Sequence, residues 1–147
     1  MNEEDYLVAI EKESRNTNIQ FRSLPKKLLN NKNFLLRVID VYNKGWPCFF
    51  EEVSEEIKSD KDISLRIVAK NGTNAYYIPK YFRNDKEIIL RAFENGLIST
   101  TVIGKDLRSE LKEKNCFSIK EIKQYLSMVL LQEELSVKDN TTKKFKL

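Results

Sequence analysis

The chain has 147 residues, of which 41% are apolar, 33% charged and 10% aromatic, with a formal net charge of +4. These values exclude a disordered chain and fit one soluble domain built around a single core. No apolar run approaches the ~20 residues that cross a bilayer, and the chain starts with an acidic segment where a secretory leader would be positive, so we expect a cytoplasmic protein.

The composition also argues against the common catalytic classes. There is no histidine, which removes the commonest general base and metal ligand near neutral pH. Cys48 and Cys116 lie far apart, so neither a disulfide framework nor a zinc cluster is indicated. No phosphate-binding glycine loop, H-E-x-x-H or G-x-S-x-G motif occurs. We therefore expect a protein that is not an enzyme and that uses no cofactor and no metal.

One phrase recurs along the chain and predicts the first helix of successive helix pairs. Asp60 and Asp85 suit helix N-caps, and Asp62 and Glu87 add acids in the first turn. The dipeptides Asn71-Gly72 and Asn95-Gly96 are expected to end these helices in the left-handed conformation, after about 11 residues. The phrase reads NEEDYLVAI from Asn2, NKNFLLRVI from Asn31, DKDISLRIVAKNG from Asp60 and DKEIILRAFENG from Asp85, with Leu7, Leu36, Leu65 and Leu90 in one column.

A second phrase recurs in step and predicts a shorter helix. Its copies start 29, 25 and 25 residues apart, and Pro25 and Pro79 fall in the first turn, where a missing N–H costs least. Neither helix of a pair is long enough to be stable alone, so stacking must bury both. The copies are LPKKLLNN, VSEEIKSD, IPKYFRND and IGKDLRSE, with the apolar pairs Leu24 and Leu28, Val53 and Ile57, Ile78 and Phe82, and Ile103 and Leu107.

The C-terminal segment departs from both phrases. In SIKEIKQYLSMVLLQEEL, Ser118 and Glu121 form a capping box, and apolar residues follow at helical spacing from Ile119 to Leu130. The fold prediction is therefore an all-α stack of about four short helix pairs, capped by a longer C-terminal helix, in one domain over residues 1–135. Residues 136–147, SVKDNTTKKFKL, are predicted to form a flexible lysine-rich tail.

The repeated D-K-E-I-x-L-x-A phrase with N-G resembles an uncharacterised family of tandem short helical repeats found in bacterial, protist and large-virus proteins. The resemblance is strongest over residues 60–96 and is absent from the C-terminal helix. It implies an all-helical array and, by analogy with other helical repeats, a binding surface. No catalytic residue is carried over from it.

The same alignment places Arg37, Arg66 and Arg91 in one column, which would form a ladder able to meet phosphates or carboxylates. The favoured interpretation is local pairing, because Asp62 and Glu87 precede Arg66 and Arg91 by four residues, the spacing that stabilises a helix.

Aromatic residues supply the other candidates for partner binding. The insertion NKGWPCFFEE, residues 43–52, carries Trp46, Phe49 and Phe50, which either form a partner surface or, for Trp46 and Phe50, fill the junction between units. Tyr76, with Tyr77 and Tyr81, lies among basic residues, and part of this cluster is expected to be packing.

The leading functional hypothesis is a protein–protein interaction module that binds through Trp46, Phe49, Phe50, Tyr76 and the three arginines. A small stoichiometric inhibitor, such as an immunity protein or a phage anti-defence protein, is one form that it would take. The Lys-, Asn- and Ile-rich usage suits an AT-rich bacterial or viral genome. The alternative is nucleic-acid binding through the arginine ladder and the tail lysines, which are Lys138, Lys143, Lys144 and Lys146.

Overall fold

The computed structural model describes residues 1–13, 23–42 and 46–145, with side chains described at 1–12, 23–42 and 49–142. This part of the chain is helical and has no strand, which confirms the all-α prediction. Helices of the 3-10 type lie at Gly72–Tyr76 and Lys80–Asn84. The α-helices are α1 (Glu3–Glu13), α2 (Lys26–Leu29), α3 (Lys32–Val41), α4 (Trp46–Glu52), α5 (Glu55–Lys58), α6 (Lys61–Lys70), α7 (Lys86–Glu94), α8 (Lys105–Glu113) and α9 (Ile119–Phe145).

The longer helices form the stack. Helix α1 packs on α3, α3 on α6, α6 on α7, and α7 on α9. The second phrase forms α2, α5, the 3-10 helix Lys80–Asn84, and α8. Two helices per unit and a long C-terminal helix are therefore confirmed, but the second helix is not shorter in the last unit, because α8 and α7 both have 9 residues.

The core repeats with the sequence. In α3, α6 and α7 the buried residues are the third, fourth, seventh and eighth after the N-cap, which is one stripe of a helix. Burying each large apolar side chain contributes about 1.5–3 kcal/mol, which helices this short need in order to form. The buried residues are Phe34, Leu35, Val38 and Ile39 in α3, Ile63, Ser64, Ile67 and Val68 in α6, and Ile88, Ile89, Ala92 and Phe93 in α7.

The predicted N-caps are present. The Asp60 carboxylate accepts the backbone N–H of Asp62 at 2.9 Å, and the Asp85 carboxylate accepts that of Ile88 at 3.0 Å. The Ser118 hydroxyl accepts the N–H of Glu121 at 3.2 Å, which caps α9. These three helix starts therefore share one physical cause, a side-chain oxygen that accepts the hydrogen bond of a free backbone N–H.

The two N-G dipeptides have different roles, and the prediction for Asn71-Gly72 is wrong. Gly96 is left-handed with φ +99°, as predicted, whereas Gly72 is not in that region. Gly72 is instead required by a close approach, because a Cβ there would lie 1.9 Å from the carbonyl oxygen of Ala92. Its N–H donates to the Asn95 carbonyl at 2.8 Å, so the turn after α6 rests directly on the end of α7.

Helix α8 is capped from outside its own segment. Its N-cap position is Gly104, which has no side chain to accept a hydrogen bond. The side-chain oxygen Oδ1 of Asn84 accepts the N–H groups of Asp106 and Leu107, both at 3.1 Å. A Cβ at Gly104 would lie 2.2 Å from that Asn84 oxygen, so the glycine makes room for the cap.

Helix α9 has 27 residues and runs across the predicted domain boundary at residue 135. Residues 136–142 are helical and exposed, and the division of the chain into a domain and a tail stays a prediction. In the described part of the chain, no helix combines the length and apolar character needed to cross a membrane.

Candidate functional site

One face of the stack collects the repeated leucines and arginines. Leu36, Leu65 and Leu90 follow the buried stripe by one position and are half-buried. A shallow depression of 300 Å³ brings Leu36 and Leu65 together with Arg66 and Arg91, so side chains from α3, α6 and α7 share this surface. We call it the leucine–arginine face, and define it by Leu36, Leu65, Leu90, Arg37, Arg66 and Arg91.

The arginines of this face pair with acids, but not with the acids predicted for them. Arg66 makes a two-point contact with Asp40 of α3, with Nε and Nη2 at 2.8 and 2.9 Å from the two carboxylate oxygens. Arg37 reaches back to Glu4 of α1 through one contact, from Nη2 to Oε1. Arg91 approaches Glu94 at 3.9 Å. The predicted local pairs of Asp62 with Arg66 and of Glu87 with Arg91 are therefore wrong.

Those two acids instead bind lysines that the sequence analysis did not single out. Lys32 Nζ lies 2.9 and 2.6 Å from carboxylate oxygens of Asp60 and Asp62. Lys61 Nζ lies 3.0 and 2.8 Å from those of Asp85 and Glu87. Each lysine is the first residue of its helix and reaches the N-cap acid and first-turn acid of the next long helix.

Lys86 is the first residue of α7, but it pairs with Glu110 of α8 at 2.9 Å. We call this column of lysines the lysine ladder, and define it by Lys32, Lys61 and Lys86. Burial disfavours the charged form of Lys61, but its hydrogen bonds to Glu87 and Asp85 outweigh that effect and raise its pKa. The hydrogen bond from Lys32 lowers the pKa of Asp62. The sequence alignment of the repeat already places these three lysines at one position. It does not show in which direction the units stack, so it could not show which unit each lysine side chain reaches.

A further lysine ties α6 back to α3. Lys70 Nζ donates to the carbonyl of Ile39 at 2.7 Å and to that of Asp40, at the free C-terminal end of α3. Burial lowers the pKa of Lys70, against the opposing effect of the Asp40 carboxylate. Lysines thus reach both forward and back along the stack, which makes neighbouring units hold each other in register.

A larger depression lies at the end of the leucine–arginine face. It has a volume of 640 Å³ and separates α7 from the second half of α9. Its apolar surface comes from Leu90, Leu130 and Val137. We call it the α7–α9 groove, and its charged lining residues are Glu87, Arg91, Glu94, Glu133, Glu134 and Lys138.

A three-residue network fixes the wall of this groove. The hydroxyl of Tyr125 in α9 donates to Glu110 Oε1 in α8 at 2.5 Å, and Lys86 Nζ in α7 lies 2.9 Å from the same oxygen. The hydrogen bond from Tyr125 lowers the pKa of Glu110, and the same bond raises the pKa of Tyr125 to about 12. Three helices are joined at one carboxylate, so α9 is held at a defined distance from α7.

Two aromatic residues of the insertion belong to the core. Phe49 is fully buried and Phe50 is 9% exposed, with their rings edge to face at 5.2 Å. The predicted partner-binding role of these two phenylalanines is corrected, since neither is available to a partner, and the alternative of a filled junction is supported for Phe50. Helix α4 starts at Trp46, but its side chain lies outside the described part of the structure, so the prediction for Trp46 stays a prediction.

The tyrosines are more exposed than the packing interpretation expects. Tyr76, Tyr77 and Tyr81 are 41%, 47% and 57% exposed. Hydrogen bonds with Ser99 and Thr101 lower the pKa of Tyr76. The structure therefore leaves Tyr76 accessible, and its predicted partner-binding role stays a prediction.

The tail lysines are only partly described. Lys138 is exposed and lies 3.9 Å from Glu134 in the same helix. The side chains of Lys143 and Lys144, and the whole of Lys146, lie outside the described residues. The structure thus places one of the four predicted nucleic-acid residues, at the rim of the α7–α9 groove.

Comparison with known proteins agrees with the repeat. Residues 60–108 match a family model described as "Domain of unknown function (DUF4116)". The match runs from the N-cap of α6 into α8, where both repeated phrases are clearest, and confirms the resemblance to an uncharacterised family over this segment. No curated protein and no solved structure matches the chain.

Proposed function

We propose that the chain is a non-enzymatic protein–protein interaction module and that the leucine–arginine face with the α7–α9 groove is its binding surface. The observation that carries the proposal is the groove. It has a volume of 640 Å³ and combines an apolar floor with charged rims along two helices. Protein–protein interfaces commonly have this arrangement of an apolar centre and a polar rim.

The pairing of the arginines favours a protein over a nucleic acid. Phosphate binding needs cations that are free to replace counterions. Arg66 is engaged by both oxygens of Asp40, and Arg37 is engaged by Glu4, so a phosphate would have to displace a carboxylate at each of these sites. The alternative, nucleic-acid binding through these arginines and the tail lysines, stays a prediction.

Within this class we propose a small stoichiometric inhibitor of the immunity or phage anti-defence type, acting in the cytoplasm of a bacterial or virus-infected cell. A rigid surface is well suited to blocking a partner, because little ordering entropy is lost on binding. Protection of growing cells against a candidate toxin or nuclease tests this form of the proposal, and a groove variant that protects as well as the wild type contradicts it.

The binding surface is tested by affinity capture from a nuclease-treated bacterial lysate. Val137 lines the groove and is 66% exposed, so Val137→Arg inserts a long cation there without disturbing the core. We expect this variant to lose a partner that the wild type retains, by about tenfold or more. Val8→Arg is the matched control, because Val8 is 59% exposed on α1, at the other end of the stack.

The same pair of variants separates the two function classes. An added arginine beside Lys138 should strengthen contacts to phosphate and weaken contacts to a protein. Capture by Val137→Arg that rises, and that disappears after nuclease treatment, would favour the nucleic-acid alternative. Equal capture by both variants would show that the groove is not the binding surface.

A further inference from the structure

We propose that the α7–α9 groove takes a basic amphipathic helix, with an apolar stripe on its floor and lysine or arginine side chains against its glutamates. The inference rests on the proposed function and names the kind of partner segment that the groove fits.

The floor of the groove has the spacing of helix packing. Leu130 and Val137 are seven residues apart on α9, which is two turns or about 10 Å along the helix. Leu90 faces them from α7, at the centre of a lining that runs from Glu87 to Glu94, again two turns. A groove walled by two helices over two turns each offers ridges that a third helix can pack into.

The charge of the rims selects a basic partner. The groove carries four glutamates against two cations, Arg91 and Lys138, although the chain as a whole has a net charge of +4. Glu87 already has an ion pair, with Lys61 Nζ 2.8 Å from its Oε2. The contacts of Glu94 with Arg91 and of Glu134 with Lys138 are both 3.9 Å, and exposed pairs of that length contribute little.

Glu133 is the groove glutamate that is best placed to bind a basic partner. Among the described residues, no cation lies within salt-bridge distance of its carboxylate, although it lines the groove one turn beyond Leu130. A basic side chain on an incoming helix could form an ion pair with Glu133. Further basic side chains could approach Glu94 and Glu134 more closely than their present cations do, at 3.9 Å. An acidic helix would meet uncompensated carboxylates on both rims.

The neighbouring depression shows that this preference is local. Between α3 and α6 the volume is 300 Å³, and the charged lining is Asp62, Arg66 and Arg91, which has an excess of cation. A basic helix is therefore expected to engage the end of the leucine–arginine face and not its middle.

The test uses a synthetic helical peptide of about 14 residues, with leucines spaced as one helical stripe and lysines elsewhere, labelled with fluorescein. A second peptide replaces every lysine with glutamate. Binding to the full chain is followed by fluorescence anisotropy at low ionic strength and again near 150 mM salt. We expect the lysine peptide to bind at least about tenfold more tightly than the glutamate peptide, with a smaller ratio at the higher salt.

Two double variants remove the same charge from different places. Glu133→Gln with Glu134→Gln neutralises the groove, and Glu55→Gln with Glu56→Gln neutralises an exposed pair on α5. We expect the groove variant to weaken lysine-peptide binding about fivefold or more and the α5 variant to change it less than twofold. Equal effects of the two variants, or equal binding of the two peptides, would overturn the inference.

The outcomes also separate this inference from the proposed function. If both peptides fail to discriminate but Val137→Arg still loses the captured protein, the groove binds a partner of another kind and only the basic-helix inference is wrong. If Val137→Arg and Val8→Arg capture equally, the proposed binding surface fails as well. If sedimentation shows that the chain self-associates and that Val137→Arg abolishes it, the occupant is a second copy and the inference is overturned.

Discussion

The junction between α6 and α7 joins two repeat units, whereas the junction between α7 and α9 joins the last long helix of the repeat to a helix that lacks both repeated phrases. At the first, two helices of 10 and 9 residues match in length, and Lys61 bridges the N-cap and first-turn acids of α7. At the second, α9 has 27 residues against the 9 of α7. Among the side chains described in α9, the buried ones are Ile122 and Leu126 near its start, and residues from Leu130 to Lys138 line the groove beside α7.

The difference shows how a repeat protein leaves a groove open where the repeat is interrupted. Between two repeat units, the side chains of one helix pack against the next helix. Charged side chains there form ion pairs between the units, as Lys61 does with Asp85 and Glu87. Where the last helix is longer than its neighbour, part of it has no neighbour to pack against. An apolar groove and uncompensated carboxylates result from that mismatch in length.

The largest expected effect comes from crowding the regular junction. Gly72→Ala places a Cβ 1.9 Å from the Ala92 carbonyl oxygen at the end of α7, so we expect a loss of about 3 kcal/mol in the free energy of unfolding. Chemical denaturation with circular dichroism measures it.

Gly96→Ala is the matched control for that substitution. It has no atom within 4 Å of the new Cβ but requires φ +99°, and its cost should be about 1–2 kcal/mol. If Gly72→Ala is the milder of the two, the close contact between the turn and α7 does not limit the junction.

A smaller effect is expected from the network at the irregular junction. Tyr125→Phe removes the hydroxyl that donates to Glu110 and should cost about 1–2 kcal/mol at neutral pH. Because the pKa of Glu110 is lowered in the fold, its contribution is present above its unfolded pKa and is lost as the pH falls through the folded value.

The pH dependence gives that prediction a second readout. The stability difference between wild type and Tyr125→Phe should narrow as the pH falls from 7 through the acidic range, to about pH 3. It should also narrow at alkaline pH, since Tyr125 loses its proton near its folded pKa of about 12. A difference that stays constant from neutral to acidic pH would show that the hydroxyl acts by packing alone.

The smallest effect compares the lysine ladder at the two junctions. Lys61→Met should cost about 0.5–1 kcal/mol and Lys86→Met about half as much, both modest because the lysines are partly exposed. Lys61 is the cation shared by Asp85 and Glu87, whereas Glu110 keeps its hydrogen bond from Tyr125 when Lys86 is lost.

Salt provides the check on that comparison. The difference between the two lysine variants should shrink as added salt screens the exposed charges. Costs that do not change with salt would assign the effect to the lost aliphatic contacts of the lysine side chains.

Local features of this chain were predictable because they depend on a few neighbouring residues. Asp60, Asp85 and Ser118 cap helices since their side-chain oxygens reach free N–H groups two or three residues away. Apolar residues such as Ile122 and Leu126 are buried together because four residues make about one helical turn. Features that depend on the next unit were missed, among them the Asn84 cap of α8 and the partner of Arg66.

The predictions for Phe49 and Gly72 were wrong for the same reason, which is tertiary packing. An aromatic insertion and an N-G dipeptide have typical local meanings, a protruding loop and a left-handed helix end. Packing overrides both here, because Phe49 is enclosed by neighbouring units and Gly72 must fit against α7.

By itself the sequence determined the repeat, the all-α class, the helix starts and the buried stripe, since helix periodicity and capping are written in residue spacing. The tertiary structure decided which unit each charged side chain reaches and where a groove opens. Those properties depend on the direction of stacking and on the unequal lengths of α7 and α9, which bring together residues that no spacing along the chain relates.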